Sequence, residues 1–191
     1  MPIRPKSQTK PKPISIPAAL TILHGEKSTL PDVVVTHAVA YLMAAVIGWL
    51  GWQDGLSGWQ VALLVVLSAD IAGGVVANIT TGTDRYYGAR PRLRKVFLGI
   101  HVIQPLVLWW LFPESYLVIL ATMAVTLCSS LAVDLFASPP LDRTWGAAGF
   151  VAGCAVVIGL QSPSAALTLL LLMYVAKLTF SFAPRWFPDP H

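Results

Sequence analysis

Side chains able to do chemistry sit at unusual places in this sequence. His37, Asp70, Asn78, His101, Gln104, Asp134 and Lys177 are polar or ionisable groups set within long apolar runs. If those runs cross a bilayer, each such group is costly to keep there and is expected to line a pathway, pair with a neighbour or hold a ligand. Asp70 could bind a proton or a cation. His101 has the chemistry of a general acid or base, because a histidine titrates near pH 6.5 in the absence of perturbation (about that value). Just beyond the second run come Thr81, Asp84, Arg85, Tyr86 and Tyr87, a set of hydroxyls, a carboxylate, a guanidinium and phenols. Arg85, Arg90, Arg92 and Arg94 offer the forked geometry that holds phosphate bidentately.

The spacing groups these residues. Asp70, Gly74, Asn78 and Thr81 recur on one face of a helix. Ala69, Gly73 and Ala77 form a small-residue stripe beside it, suited to close helix contact. His101 and Gln104 share a face of the next apolar run, and antiparallel pairing of the two would bring Gln104 toward Asp70 and His101 toward Asn78. Pro105 removes a backbone donor and frees the carbonyl of His101, which predicts a kink and an extra acceptor there. With a rise of about 1.5 Å per residue, Asp70 lies near the middle of its run and the other groups lie at the middle or toward one end.

The elements that must position these groups follow from composition. The chain has 191 residues, of which 55% are hydrophobic and 12% charged, half the share of roughly 25% usual in soluble domains. So much apolar surface requires lipid. Apolar runs at 33–52, 59–81, 96–112, 115–137, 145–160 and 164–182 predict about six transmembrane helices of roughly 20 residues each. Helices are required because hydrocarbon gives backbone amides no partner outside the segment. The expected fold is an all-α polytopic bundle over 31–183, preceded by a basic, Pro-rich tail (1–30) and followed by a short tail (184–191). Residues 16–23 are expected to lie along the membrane surface. Run 145–160 is the shortest.

Loop charges predict the orientation. With the N-terminus inside, every Lys and Arg except Lys177 falls on inside segments, and the outside loops 53–58, 113–114 and 161–163 carry none. Lys177 is expected to snorkel to the interface near its end of the last run. Both termini are then cytoplasmic, and a bacterial cytoplasmic membrane is the expected location. The net charge of +4 is spread over membrane-flanking clusters, which speaks against nucleic acid. The expected partners are the bilayer, an anionic lipid headgroup or small anionic ligand, and another copy of the chain or a second subunit. No cofactor is indicated. Cys128 and Cys154 lie in apolar runs and read as packing residues rather than as a disulfide or metal site. No H-E-x-x-H, P-loop or G-x-S-x-G string occurs.

The strings Asp70-x-x-Gly73-Gly74-x-x-x-Asn78, Arg85-Tyr86-Tyr87 and His101-x-x-x-Pro105 resemble a pattern of small bacterial polytopic membrane proteins without an assigned activity. The resemblance covers the second and third runs only. It implies that these residues act as a unit and carries no function with it.

Three functions stay open at this level. One is transport or binding of a small molecule or ion, with Asp70, Asn78, Thr81, His101 and Gln104 lining the path and Arg85, Tyr86 and Tyr87 at its mouth. Another is a membrane-embedded enzyme acting on a lipid or isoprenoid phosphate, with His101 as acid or base, oriented by Asp84 or Asp70. The last is a non-catalytic assembly partner in which the polar face locks helices together. A haem held by His37 and His101 is compatible with the sequence but not indicated.

Overall fold

The computed structural model describes residues 12–187, and the first eleven residues of the basic N-terminal tail, including Arg4, Lys6 and Lys10, lie outside them. Among the described residues five helices are long and apolar enough to cross a membrane. They are α2 (Leu30–Gln53), α3 (Gly58–Asn78), α7 (Tyr116–Phe136, entered through a 3-10 turn at Pro113–Ser115), α8 (Leu141–Leu160) and α9 (Ala165–Val175, continued by a π-helical stretch Ala176–Phe182). Val34, Leu42, Val66, Leu117, Leu135 and Val151 are all more than half exposed on the outer faces of these helices. A folded chain turns such side chains outward at this density when the surrounding medium is apolar.

Local signals account for the helix ends. Thr29 caps α2 by accepting the Asp32 N–H, and Pro31 fills the first turn, where no donor is needed. Ahead of α3, the Ser57 N–H donates to the Gln60 side chain at 2.9 Å. Ser164 caps α9 by accepting the Leu167 N–H at 3.0 Å. Helix α8 begins at Leu141, four residues before the start at 145 expected from hydropathy. Asp142 and Arg143 enter its first turn because both are used in contacts described below, so this helix is not short.

The run 96–112 departs from the expected single helix. It folds as α5 (Pro91–Ile100) and α6 (Ile103–Leu111), with a break at His101 and Val102. Pro105 explains the break: without an N–H it cannot bond the His101 carbonyl. That carbonyl instead accepts the Tyr174 hydroxyl at 3.2 Å, so the last long helix satisfies what the broken one leaves open.

The N-terminal region also differs from a plain tail along the membrane surface. Strands β1 (Pro13–Ser15) and β2 (Lys27–Thr29) form an antiparallel hairpin, an exception to an otherwise all-α fold. Between them lie a 3-10 turn (Ala18–Leu20) and a one-turn helix, α1 (Thr21–His24). This segment docks on α4 (Thr81–Gly88). Thr83 Oγ1 donates to the Leu23 carbonyl at 2.7 Å and Tyr87 Oη to the Ile22 carbonyl at 3.0 Å. Gly25 and Gly82 permit the approach. A Cβ at Gly82 would lie 2.3 Å from the Lys27 carbonyl oxygen, and Gly25 has φ +71°, which side chains rarely adopt.

These contacts sort the connections into two ends. The hairpin, α4, the α7–α8 turn and residues 183–187 gather at one end through the bonds just described and those of Asp84 and Asp142 below. At the other, Ser164 Oγ donates to Asp54 and Ser115 Oγ lies 3.1 Å from Ser162 Oγ. Helix α3 packs chiefly against α2 and the last helix. It meets the broken pair through long side chains, Trp59 with Trp110 at one level and Asp70 with Gln104 at another.

Candidate functional site

Asp70 sits midway along α3 and Lys177 in the π-helical stretch after α9. Lys177 Nζ donates to Asp70 Oδ2 at 2.8 Å and to the Asp70 backbone carbonyl at 3.2 Å. The expectation that Lys177 snorkels to the interface is overturned, because its side chain is only 2% exposed. The physical reason is Gly74, one turn beyond Asp70. A Cβ there would lie 2.4 Å from Lys177 Cε and 3.0 Å from Nζ, so the missing side chain is the slot that the lysine fills. The sequence signal was present in Asp70-x-x-x-Gly74, which places an empty position on the face that carries the carboxylate.

The two partners differ in environment. Lys177 is enclosed, whereas the Asp70 side chain is 55% exposed. Gln104, from α6, reaches it, and its Nε2 donates to Asp70 Oδ2. Two acceptors beside this contact are buried and without a partner: Gln104 Oε1 and His101 Nε2. His101 Nδ1 lies 2.6 Å from the Phe97 carbonyl oxygen, which can only accept, so Nδ1 carries the proton. In the neutral ring the lone pair is then on Nε2. Phe97 stacks on Phe182 at 4.0 Å between ring centroids and lies 4.1 Å from the His101 ring, closing the site on the α4 side.

Asn78 does not pair with His101 as foreseen. Its amide faces the Lys177 carbonyl at 3.4 Å and Ser181 Oγ at 3.5 Å. The same carbonyl accepts the Ser181 hydroxyl at 2.7 Å, so Asn78 and Ser181 together hold the stretch that presents Lys177. Thr81, in the first turn of α4, lies outside the Asp70 cluster.

Asp84 is also placed differently from its expected role of orienting His101. It is 5% exposed, and both its oxygens are occupied. Oδ1 accepts the Trp186 N–H at 3.1 Å and Arg185 Nε at 3.3 Å; Oδ2 accepts the Phe187 N–H at 3.1 Å. Asp142 Oδ2 accepts the Arg185 N–H at 2.7 Å, and Arg143 donates to the Trp186 carbonyl at 2.7 Å. The described part of the C-terminal tail is therefore clamped under the bundle.

The arginines divide in the same way. Arg94 is buried, bonded to Asp134 at 2.7 Å and to the Phe182 carbonyl at 3.0 Å, and its guanidinium lies over the Phe182 ring. Arg90 pairs with Glu26 and lies 4.2 Å above the Tyr86 ring. Asp134 is thus the ion-pair partner of Arg94. Arg85 and Arg92 are exposed. Tyr87 is buried in the wall between hairpin and bundle, and burial pushes its phenol well above the ordinary range.

His37 acquires a partner that sequence reading did not supply. His24 Nε2 lies 3.3 Å from His37 Nε2, and Tyr41 stacks on the far side of His37 at 5.8 Å. His24 is fully buried, and burial followed by the neighbouring His37 lowers its pKa below the usual 6.5. Thirteen residues and a hairpin strand separate the two histidines, so no helical spacing revealed the pair. His37 contacts His24 and Tyr41, whereas His101 Nδ1 lies against the Phe97 carbonyl, so the two histidines belong to different clusters.

Fold and site together define a helical bundle compatible with an integral membrane protein, with an ion pair inside its apolar body. No protein-family model, curated protein or solved structure matches the chain, and the site is read from its own geometry.

Proposed function

We propose that this is a multi-pass protein of a bacterial cytoplasmic membrane, and that the Asp70–Lys177 pair is the proton- or cation-binding element of a small transport or binding protein. The observation that carries this reading is the asymmetry of the pair: an enclosed ammonium facing a carboxylate that is 55% exposed. A pair serving packing alone has no need of an open carboxylate beside two unpartnered acceptors. Here a proton or cation reaching the exposed Asp70 carboxylate finds Gln104 Oε1 and His101 Nε2 buried behind it without partners. Neutralising Asp70 leaves Lys177 buried without a counter-charge, which costs several kcal/mol (about 3–5 when a buried pair is broken). That cost is the coupling: site occupancy pushes Lys177 away from α3, and Lys177 belongs to the π-helical stretch that meets α3, α7 and α8.

Orientation rests on loop charge. The end that gathers the hairpin, α4 and residues 183–187 holds Lys27, Arg85, Arg90, Arg92, Arg143 and Arg185; the end around Asp54, Glu114 and Ser162 has no Lys or Arg among the described residues. By the positive-inside rule the first end is cytoplasmic, with six crossings, one of them the broken α5–α6 pair.

The test is ion or proton flux in proteoliposomes. Flux in the wild type that disappears in Asp70→Asn supports the reading; undiminished flux in that variant removes Asp70 from the role.

One observation favours a second reading, an enzyme acting on a lipid-borne phosphate: the free, oriented lone pair of His101 Nε2. It ranks lower, because Asp84, Arg90 and Arg94 are already occupied by the fold. A lipid profile unaltered by deletion of the gene would count against it.

A further inference from the structure

A cavity of about 930 Å³ opens at the end that holds α4, away from Asp70, between the N-terminal hairpin and α4. The hairpin contributes Glu26, Lys27, Ser28 and Thr29, and α4 contributes Thr81, Gly82, Arg85 and Tyr86. We propose that it is a binding site for a phosphate group, carried either by a membrane lipid headgroup or by a soluble phosphate compound.

Independent features converge on that ligand. The first turn of α4 forms one wall, and the Thr81 and Gly82 N–H groups have no backbone acceptor. Such orphan donors at a helix start suit an anion. On the facing wall Ser28 is 3% exposed, and its buried Oγ has no hydrogen-bond partner. A buried hydroxyl of this kind calls for a polar occupant. Cations complete the set. Arg85 makes no ion pair among the described residues, unlike Arg90, whose charge is met by Glu26. Arg85 and Lys27 are then set against one remaining carboxylate in the lining, Asp32. A guanidinium fork, an ammonium, hydroxyls and helix-start amides are the donor types that phosphate oxygens accept.

The position matters as well. Among the described residues the hairpin is bonded to α4 by Thr83 and Tyr87, touches it at Gly25 and Gly82, and is tied just beyond it by the Arg90–Glu26 pair. A phosphate bridging Ser28 or Lys27 to Arg85 ties the two walls together, so occupancy stiffens the N-terminal segment against the bundle.

The experiment uses the full chain in phosphatidylcholine nanodiscs. One arm titrates inorganic phosphate and glycerol phosphate, read by phosphorus NMR. The other places phosphatidic acid in the disc, read as retained lipid by native mass spectrometry. Saturable binding in the first arm alone identifies a soluble phosphate compound, in the second alone a headgroup; binding in both identifies recognition of the phosphate itself. In each case Arg85→Ala weakens binding by at least about tenfold, and Arg92→Ala, a control at an exposed arginine outside the cavity, changes it by less than about twofold. Arg85→Lys, which keeps charge but loses the fork, and Lys27→Ala carry the test if Arg85→Ala fails to fold. No saturable binding in either arm overturns the proposal. So does an equal loss in Arg85→Ala and Arg92→Ala, which signals diffuse surface charge.

Discussion

Lys177 Nζ and Asp70 Oδ2 lie 2.8 Å apart, joining two residues 107 positions apart in the chain within the apolar body of the bundle. The ammonium is enclosed and the carboxylate is half exposed, so the two ends of the pair respond differently to substitution. Asp70→Asn strands a buried charge and is expected to destabilise the protein by about 3 kcal/mol or more. Adding Lys177→Met removes that charge and fills the slot with an apolar chain. The double variant is therefore expected to regain most of the loss, measured as thermal or denaturant stability in detergent. A double variant less stable than Asp70→Asn alone would contradict the account of the pair.

Gly74 supplies a second test of the same geometry. Its Cβ would lie 2.4 Å from Lys177 Cε, so Gly74→Ala must push the lysine out of its slot. The expected cost is about 1–3 kcal/mol, typical of overpacking, with loss of whatever ion response Asp70 provides. Gly48→Ala, which meets only the Val65 and Val61 side chains, is a matched control outside the site. Equal ion responses in the two variants would show that the slot has no bearing on the site.

The C-terminal clamp predicts a protease phenotype. Asp84 accepts two backbone N–H groups and Arg185 Nε, all lost or weakened in Asp84→Asn. Bonds to a charged acceptor contribute about 1.5–3 kcal/mol each. Residues 183–187 should then detach and trypsin should cut after Arg185 in the folded protein, with helix content unchanged by circular dichroism. Continued resistance at Arg185 would place the stability of the tail elsewhere, in Asp142 and Arg143.

The His24–His37 contact makes hairpin docking sensitive to pH. The pKa of His24 is lowered in the docked state, so the undocked state binds more protons once the pH falls below about 6.5, the ordinary value. Docking is therefore strongest above that pH and weakens as pH falls through it toward the lowered value. His37 opposes the protonated ring and Asp32 partly offsets the effect. Hydrogen exchange at Leu23 to Gly25 should accelerate between pH 7.5 and pH 5 (round values about the transition), and His24→Gln should abolish the change. Exchange that is flat across this range in the wild type would refute the coupling.

Much of the bundle was legible because hydrophobic length is a one-dimensional signal. The runs around α2, α3 and α7 needed only counting, and Pro113 and Pro139 marked stops. Asp70 and Gln104 were legible as a facing pair because one loop joins their helices. What escaped was long-range or depended on an absent side chain. Counting residues to the end of its run places Lys177 at the interface, a rule that assumes a free path outward; Gly74 on another helix supplies an inward slot instead. Asp84 was read as a loop carboxylate because its partners are backbone amides about a hundred positions away. His24 lies in a segment without periodicity, and its hairpin pairs through main-chain bonds that leave no pattern in side-chain types.

If Asp70 exchanges a proton or cation while Lys177 senses its charge, binding moves charge within the bundle, and that movement can be read electrically. Proteoliposomes adsorbed on a solid-supported membrane report charge movement after a rapid jump in pH or in Na⁺ or K⁺ concentration. A transient current is expected in the wild type, retained with altered ion dependence in Asp70→Glu and absent in Asp70→Asn. A current of wild-type size in Asp70→Asn, from protein verified as folded, would contradict it.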